Sequence, residues 1–563
     1  MARNIPLLDA SWLYVESKEA PMHVGSMAVF TVPEGETSQQ AIARIVQMLR
    51  SSLEFAPPLN YRLSSPRLLT LMPKWIEADK IDLDYHFRHS ALPAPGGERE
   101  LGTLISRLHS HPLDFRKPLW EMHLIEGLYG NRFALYTKMH HSLMDGVGGM
   151  RLMERIFGKS AKESMALPAP WSVGTISKKK KNTEQQHFAD QAREAWEAAK
   201  LNGQSLPAAG RALMDLMREA VKPTDSALAT PFSGPKSIVN KRVGGARRLA
   251  TQTYPLERIR IVAEAAKVSV NDIFLAICSS SIRRYLLERD ALPSESLTAG
   301  LPVSVRPADD LDGGNAISFI IANLFTTESD PLTRLKEIRR STQLAKANLQ
   351  AMPKEAINNY TIMLMAPMML QLVSGLGGLT RPIFNTVISN VPGPSRDLYF
   401  SGCRLEQFYP ISLIPHGQAL NITVVSYSGQ FNVAFTGDHD ALPSMQRLSV
   451  YTGEALEELE AALGVKWESK KAEPAVASKA VAKPAGEKRP AVAKKPVARK
   501  PATAKVGAGK PVKVSITQGL SDSLVLPGER FFVPFKPSWL HGPFADLNEQ
   551  LLAVFAHKVG EAK

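Results

Sequence analysis

The chain has 563 residues, 44% hydrophobic and 22% charged. That is ordinary globular composition over a length beyond the roughly 250–300 residues at which one core stops growing, so collagen-like and wholly disordered chains are excluded and two domains are expected. Two cysteines, Cys278 and Cys403, allow neither a disulfide framework nor a cysteine-rich metal site. The net charge of +14 is concentrated in residues 466–513, where fourteen Lys or Arg stand against three Glu, a local +11 that leaves the remainder nearly neutral.

In chain order, the N-terminal stretch MARNIPLLDASWLYVESKEA has no continuous apolar segment and turns acidic by Glu16, so a secretory signal is not expected and a cytoplasmic location is. Residues 1–157 alternate strand-like stretches (HVGSMAVFTV, RFALYTKM) with helical ones (QQAIARIVQMLRSSL, LGTLISRLHSH), a mixed α/β domain. Residues 158–248 read as a linker and helical connection, with a helix over about 185–222. A second α/β domain is expected over 249–465, with helices around RIRIVAEAAK and NDIFLAICSSSIRRYLL and strands NTVISNV, LNITVVSY and QFNVAFTG. Two similar α/β halves would meet at a cleft, a common place for an active site. Residues 466–513 form an Ala/Lys/Pro run that cannot bury enough apolar surface to fold, and are expected to be a disordered basic linker. Residues 514–563 regain aromatics and end in a helical stripe, Phe544, Leu547, Leu551 and Phe555, expected as a small C-terminal element.

The uncharged stretch Ala356 to Thr380 is long enough to be a membrane-span candidate. Pro367, Gln371 and the glycines at 375, 377 and 378 interrupt it, which favours a buried helix or one lying along a membrane or acyl channel. Met363, Met365, Met368 and Met369 would suit variable alkyl chains, although plain core packing needs the same residues.

The strongest local signal is MHHSLMDGVGGMRLMERIF, residues 139–157. A strand ends at Met139, His140 and His141 follow, and Asp145-Gly146 leads into a helix. A histidine held at a strand end near a carboxylate suits general-base work, since its unperturbed pKa of roughly 6.5 leaves it mostly neutral at pH 7. On spacing alone, a pair of structural histidines and a metal site stay open beside it, though a third metal ligand is not evident. The chain contains no GxSxG, HExxH, P-loop or GxGxxG motif, so covalent catalysis has no recognisable support and direct attack by an activated acceptor is simpler.

HHSLMDG, His140 to Gly146, resembles the HHxxxDG motif of the bacterial wax ester synthase/diacylglycerol acyltransferase family. Five further stretches match in that family's order: PLLDASWLYVE from Pro6 to Glu16, PLWEMHLIEGL from Pro118 to Leu128, the pair Asn271-Asp272 opening NDIFLA, LPVSVR from Leu301 to Arg306, and SNVPGP from Ser389 to Pro394. The resemblance covers about 460 residues and excludes 466–563. It implies an α/β fold of two chloramphenicol-acetyltransferase-like domains, with the active site at their interface, in a cytoplasmic enzyme associated peripherally with membrane or lipid inclusions.

It also implies the chemistry. Acyl-CoA would be a donor substrate rather than a cofactor, no cofactor or metal being expected, and diacylglycerol or a fatty alcohol would be the acceptor. His141 would take the acceptor's hydroxyl proton, while His140 shapes the site. Asn271 is the candidate oxyanion donor, and its place at a helix start equally fits an ordinary cap. Asp145 would be charge-paired, with Arg306 its candidate partner. Pro118, Leu119 and Trp120 would pack near the cleft, Asp272 and Gly146 would be structural beside it, and Asn390 to Pro394 would be a turn first and a site wall second. Rival readings are a condensation-type acyltransferase on a carrier-bound or polyketide acceptor, and a non-catalytic granule- or nucleic-acid-binding protein using the basic tail. For that tail, an anionic membrane, nucleic acid and a plain spacer role all remain candidates.

Overall fold

This computed structural model describes residues 2–66, 73–144, 146–174, 227–304, 317–352, 354–373 and 375–467. The helix expected over 185–222, Asp145, Arg306 and the chain beyond Trp467 lie outside the described residues. Those described belong to one unit.

The first half begins with β1 (Arg3–Asn4) and the helix Leu7–Val15, then β2 (His23–Thr31) and the helix Ser38–Ser51. Thr37 caps that helix in a reciprocal box with Gln40, and Ala41, Ile42, Ile45 and Leu49 form the face it buries. Next come β3 (Tyr61–Leu63), β4 (Lys74–Glu77), the one-turn helix Leu83–His86, β5 (Phe87–Ala91), the helix Glu98–Ser110, β6 (Trp120–Leu128), β7 (Arg132–His140) and the helix Gly146–Ile156. The second half holds β8 (Arg247–Pro255), the helices Leu256–Ala265 and Val270–Leu287, β9 (Thr298–Ser304), β10 (Ile317–Asn323), the helices Pro331–Gln350 and Lys354–Val373, β11 (Thr386–Pro392), β12 (Tyr399–Phe400), β13 (Cys403–Ile411), β14 (Leu420–Tyr427), β15 (Gln430–Asp438) and the helix Arg447–Leu463.

Two six-stranded sheets carry the fold. The second runs β10-β9-β11-β14-β15-β8, and its buried face packs on the helix Val270–Leu287, covered on nearly every side. The first runs β12-β13-β2-β7-β6-β5, so it contains two strands from late in the chain. A division at residue 249 assigns Tyr399–Ile411 to the second half, whereas β13 pairs antiparallel with β2, Tyr409 opposite Met27. The halves are interleaved. Strand-like alternation announces a strand but not its sheet, which is why sequence leaves this exchange unseen.

The seam is well joined. The helix Glu98–Ser110 lies against β8, where Ser106 Oγ accepts from Leu249 N at 3.1 Å and Ser110 Oγ from Arg247 N at 2.8 Å. One apolar cluster mixes Ile105 and Tyr136 with Leu249, Tyr409 and Ala434. The segment read as a linker is packed near its end: Asn240 is buried and its side-chain amide donates to the carbonyls of Asn385 and Gly417, both at 2.9 Å. The Met-rich helix Lys354–Val373 carries Pro367 inside it and buries Leu364 and Met368 against Ile383 and Phe384. Among the described residues, no helix is long and apolar enough to cross a membrane.

Candidate active site

β7 is a central strand, flanked by β2 and β6, and it delivers the histidine pair at its end. His140 lies opposite His23 of β2, and its backbone N–H is held by the Leu119 carbonyl at 3.0 Å. The next residue leaves the sheet, with His141 N donating to the Met22 carbonyl at 2.9 Å. Successive side chains therefore enter different surroundings.

His140 is fully buried. The Ser142 backbone N–H donates to its Nδ1 at 3.1 Å, with Ser142 Oγ 2.6 Å from the same nitrogen. A backbone N–H only donates, so Nδ1 accepts and the ring proton sits on Nε2. Nε2 stands 2.9 Å from Glu16 Oε2. That carboxylate oxygen also accepts from Met22 N at 2.7 Å, and the His140 and Phe115 rings meet in a T-shaped contact. Both nitrogens of His140 are committed to protein partners, which disfavours it as base or metal ligand. His141 is partly exposed, and its ring lies 4.4 Å from that of Trp12, tilted by 35°.

Sequence reasoning missed Glu16 and Trp12, although both lie in the stretch PLLDASWLYVE. Their contacts with the histidines span more than a hundred residues, and spacing carries no such information. The usable signal is a glutamate closing a motif in which it has no other evident task.

The Pro118-Leu119-Trp120 segment packs, as its chemistry requires. Leu119 is wholly buried, and Trp120 donates its indole N–H to the Leu59 carbonyl at 2.7 Å while stacking on His86 at 4.4 Å. Burial pushes His86 down to about 4, against the hydrogen bond from its Nδ1 to the Trp120 carbonyl. Behind the pair, on β6 and β7, burial would raise the Glu121 carboxyl, but His123, Lys138 and Arg88 together hold it down to about 2. Lys138 Nζ reaches Glu121 Oε2 at 3.1 Å and the His111 carbonyl at 2.9 Å. His109 is pushed down to about 3 by burial and by the charges of Lys138 and Arg247.

Asn271 is not the cap of its helix. Ser269 is, in a closed box: Ser269 Oγ accepts from Asp272 N at 3.2 Å and Asp272 Oδ2 accepts from Ser269 N at 3.0 Å. Asp272 also takes the Thr342 hydroxyl on Oδ1 at 3.1 Å, tying the helix start to the helix Pro331–Gln350. The Asn271 side chain is thereby left for other work. Its Oδ1 accepts from Asn390 Nδ2 at 3.4 Å, which leaves its own Nδ2 as a donor. Both amides line a cavity of about 460 Å3 bounded by Leu301 to Val303 of β9, Asn390 of β11 and Ser426 of β14. Three separated motifs, Asn-Asp, LPVSVR and SNVPGP, thus converge on one space.

One strand end joins this cavity to the histidine turn. Asn390 lines the cavity, and Val391 packs in the same apolar cluster as Met139, Leu143 and Met150. Gly393 follows, and a Cβ there would stand 2.4 Å from the Ser426 carbonyl, so the turn requires glycine. Gly146 is different, since a Cβ would meet nothing within 4 Å. Among the described residues, no three His, Cys, Asp or Glu side chains gather as a metal site.

Residues 6–274 match the model of the wax ester synthase/diacylglycerol acyltransferase catalytic domain, and residues 313–460 that of the family's C-terminal domain. A Mycobacterium tuberculosis protein named putative diacylglycerol O-acyltransferase is 41% identical over 490 residues, covering 82% of this chain and 98% of its own. The O-acyltransferase WSD of Acinetobacter baylyi is 38% identical over 457 residues, covering 81% and 96%. The solved wax ester synthase/diacylglycerol acyltransferase of Marinobacter aquaeolei VT8 superimposes with a TM-score of 0.67 at 36% identity, over 82% of this chain and all of that one. The two sheets accordingly form the α/β fold shared with that acyltransferase.

Proposed function

The chain belongs to the wax ester synthase/diacylglycerol acyltransferase family and is an O-acyltransferase, and from that premise we propose that it joins a long-chain acyl group from acyl-CoA to diacylglycerol or a fatty alcohol, with His141 as general base. The observation that carries the assignment is the contrast within the pair. His140 is buried with both ring nitrogens occupied, whereas His141 is partly exposed beside it.

In this reaction the acceptor O–H gives its proton to the His141 imidazole as its oxygen attacks the thioester carbonyl. The resulting oxyanion is stabilised by a hydrogen-bond donor, for which Asn271 Nδ2 is the candidate. The C–S bond then breaks, and the CoA thiolate recovers the proton from His141. Ester and free CoA leave, with no electrons transferred, so no cofactor is required. Glu16 and Ser142 fix the His140 ring beneath the turn that carries His141, and Trp12 limits the ring rotation of His141. Asp145 is assigned a charge-paired structural role and Arg306 that of its partner.

Purified protein supplied with labelled acyl-CoA and either diacylglycerol or hexadecanol tests this reading. Ester formation that His141→Ala abolishes supports it; wild-type turnover in that variant overturns the base assignment. Association with a membrane or lipid-inclusion surface is proposed as peripheral, the apolar nature of the acceptor and of the ester product supplying the reason.

A further inference from the structure

The cavity beside Asn271 combines three chemical surfaces in one space. Its lining includes two cations, Arg260 on the helix Leu256–Ala265 and Lys346 on the helix Pro331–Gln350. Arg260 is about half exposed, with the Glu257 carboxylate 3.8 Å away, and the Lys346 ammonium makes no hydrogen bond or ion pair among the described residues. The same lining holds Asn271, Asn390 and Ser426, and apolar wall from Leu301, Val303, Ile388 and Phe431. No carboxylate lines the cavity among the described residues. Its volume of about 460 Å3 falls within the roughly 300–1,000 Å3 of small-molecule sites.

Charge, amides and apolar wall share this cavity, and its lining residue Asn390 is followed directly by Val391 of the cluster that flanks the histidine turn. Two cations, one held only by a long 3.8 Å contact to Glu257 and the other without a side-chain partner among the described residues, attract a ligand with separated anionic groups. The paired amides suit a chain carrying amide bonds of its own. We infer that this cavity admits the phosphate-bearing arm of the acyl donor, with Arg260 and Lys346 binding its phosphates and Asn390 and Ser426 meeting its amide-containing arm. The inference rests on the acyl-CoA donor proposed above and names the residues that would tell CoA from a phosphate-free thioester.

The test compares two donors on full-length protein. In the double variant Arg260→Gln/Lys346→Gln, KM for palmitoyl-CoA is expected to rise about tenfold, two solvent-accessible charge contacts each contributing modestly. With S-palmitoyl-pantetheine, which lacks every phosphate, the same variant stays close to the wild type. Titration calorimetry with CoA alone gives a readout independent of turnover, with the same weakening expected. An unchanged KM for palmitoyl-CoA, or equal losses with both donors, overturns the assignment. Wild-type protein that neither binds CoA nor turns over palmitoyl-CoA instead overturns the donor reading itself, and that failure is distinct because it appears before any substitution.

Discussion

His141→Ala is expected to reduce ester formation by about 100- to 10,000-fold while the melting temperature stays near wild type, because a general base acts on the transition state and this ring is only partly buried. Turnover from labelled acyl-CoA, with a thermal melt of the same sample, checks both halves of the statement. Glu16 calls for a different pair of variants, since its carboxylate oxygen accepts from both Met22 N and His140 Nε2. Glu16→Ala leaves two buried donors without an acceptor and is expected to lower stability by about 1–3 kcal/mol and kcat with it. Glu16→Gln still offers an oxygen in that place and should recover most of the loss; failure of the amide to rescue would mean that the charge itself matters. The histidine pair, the Asn-Asp pair and the catalytic class are legible in residue order alone. Glu16 and Trp12 are not, because a contact between residues 16 and 140 is made by the register of β2 with β7 and the placement of the first helix, neither of which a linear pattern encodes.

At the scale of elements, the start of the helix Val270–Leu287 is where sequence and structure part. Asn271 looks like a cap candidate because Asn is a good capping residue near a helix start, yet Ser269 stands two positions earlier and closes a box with Asp272. Ser-x-x-Asp lies openly in the chain, and a strict application of the capping rule finds it. Ser269→Ala is therefore expected to lower stability by about 1 kcal/mol, read from the denaturation midpoint, with a smaller effect on rate than Asn271→Ala. Equal loss of rate in both variants would place the functional weight on the geometry of the helix end. The Met-rich helix teaches the complementary lesson. Its composition fits span, channel and core alike, and only the packing of Leu364 and Met368 on Phe384 distinguishes a folded position.

Across the whole molecule, acid sensitivity follows from buried rings. His109 and His86 titrate at about 3 and about 4 in the folded chain, against about 6.5 when unfolded. Between those values the unfolded chain binds more protons, so this stability is complete above pH 6.5 and is lost as pH falls toward the folded values, by up to about 1.4 kcal/mol per pH unit for each ring. Denaturant midpoints at pH 7.5, 6 and 4.5 should decline in that order; a flat profile would contradict the neutral burial of these rings. The strand exchange has a consequence for synthesis. Until the ribosome has passed Ile411, β2 has no β13 beside it, and a nascent chain several hundred residues long carries an open sheet edge with its apolar face incomplete. The first sheet is thus among the last parts of the molecule to close, and a gene cut between residues 248 and 249 would yield a leading fragment that needs its trailing one to escape aggregation.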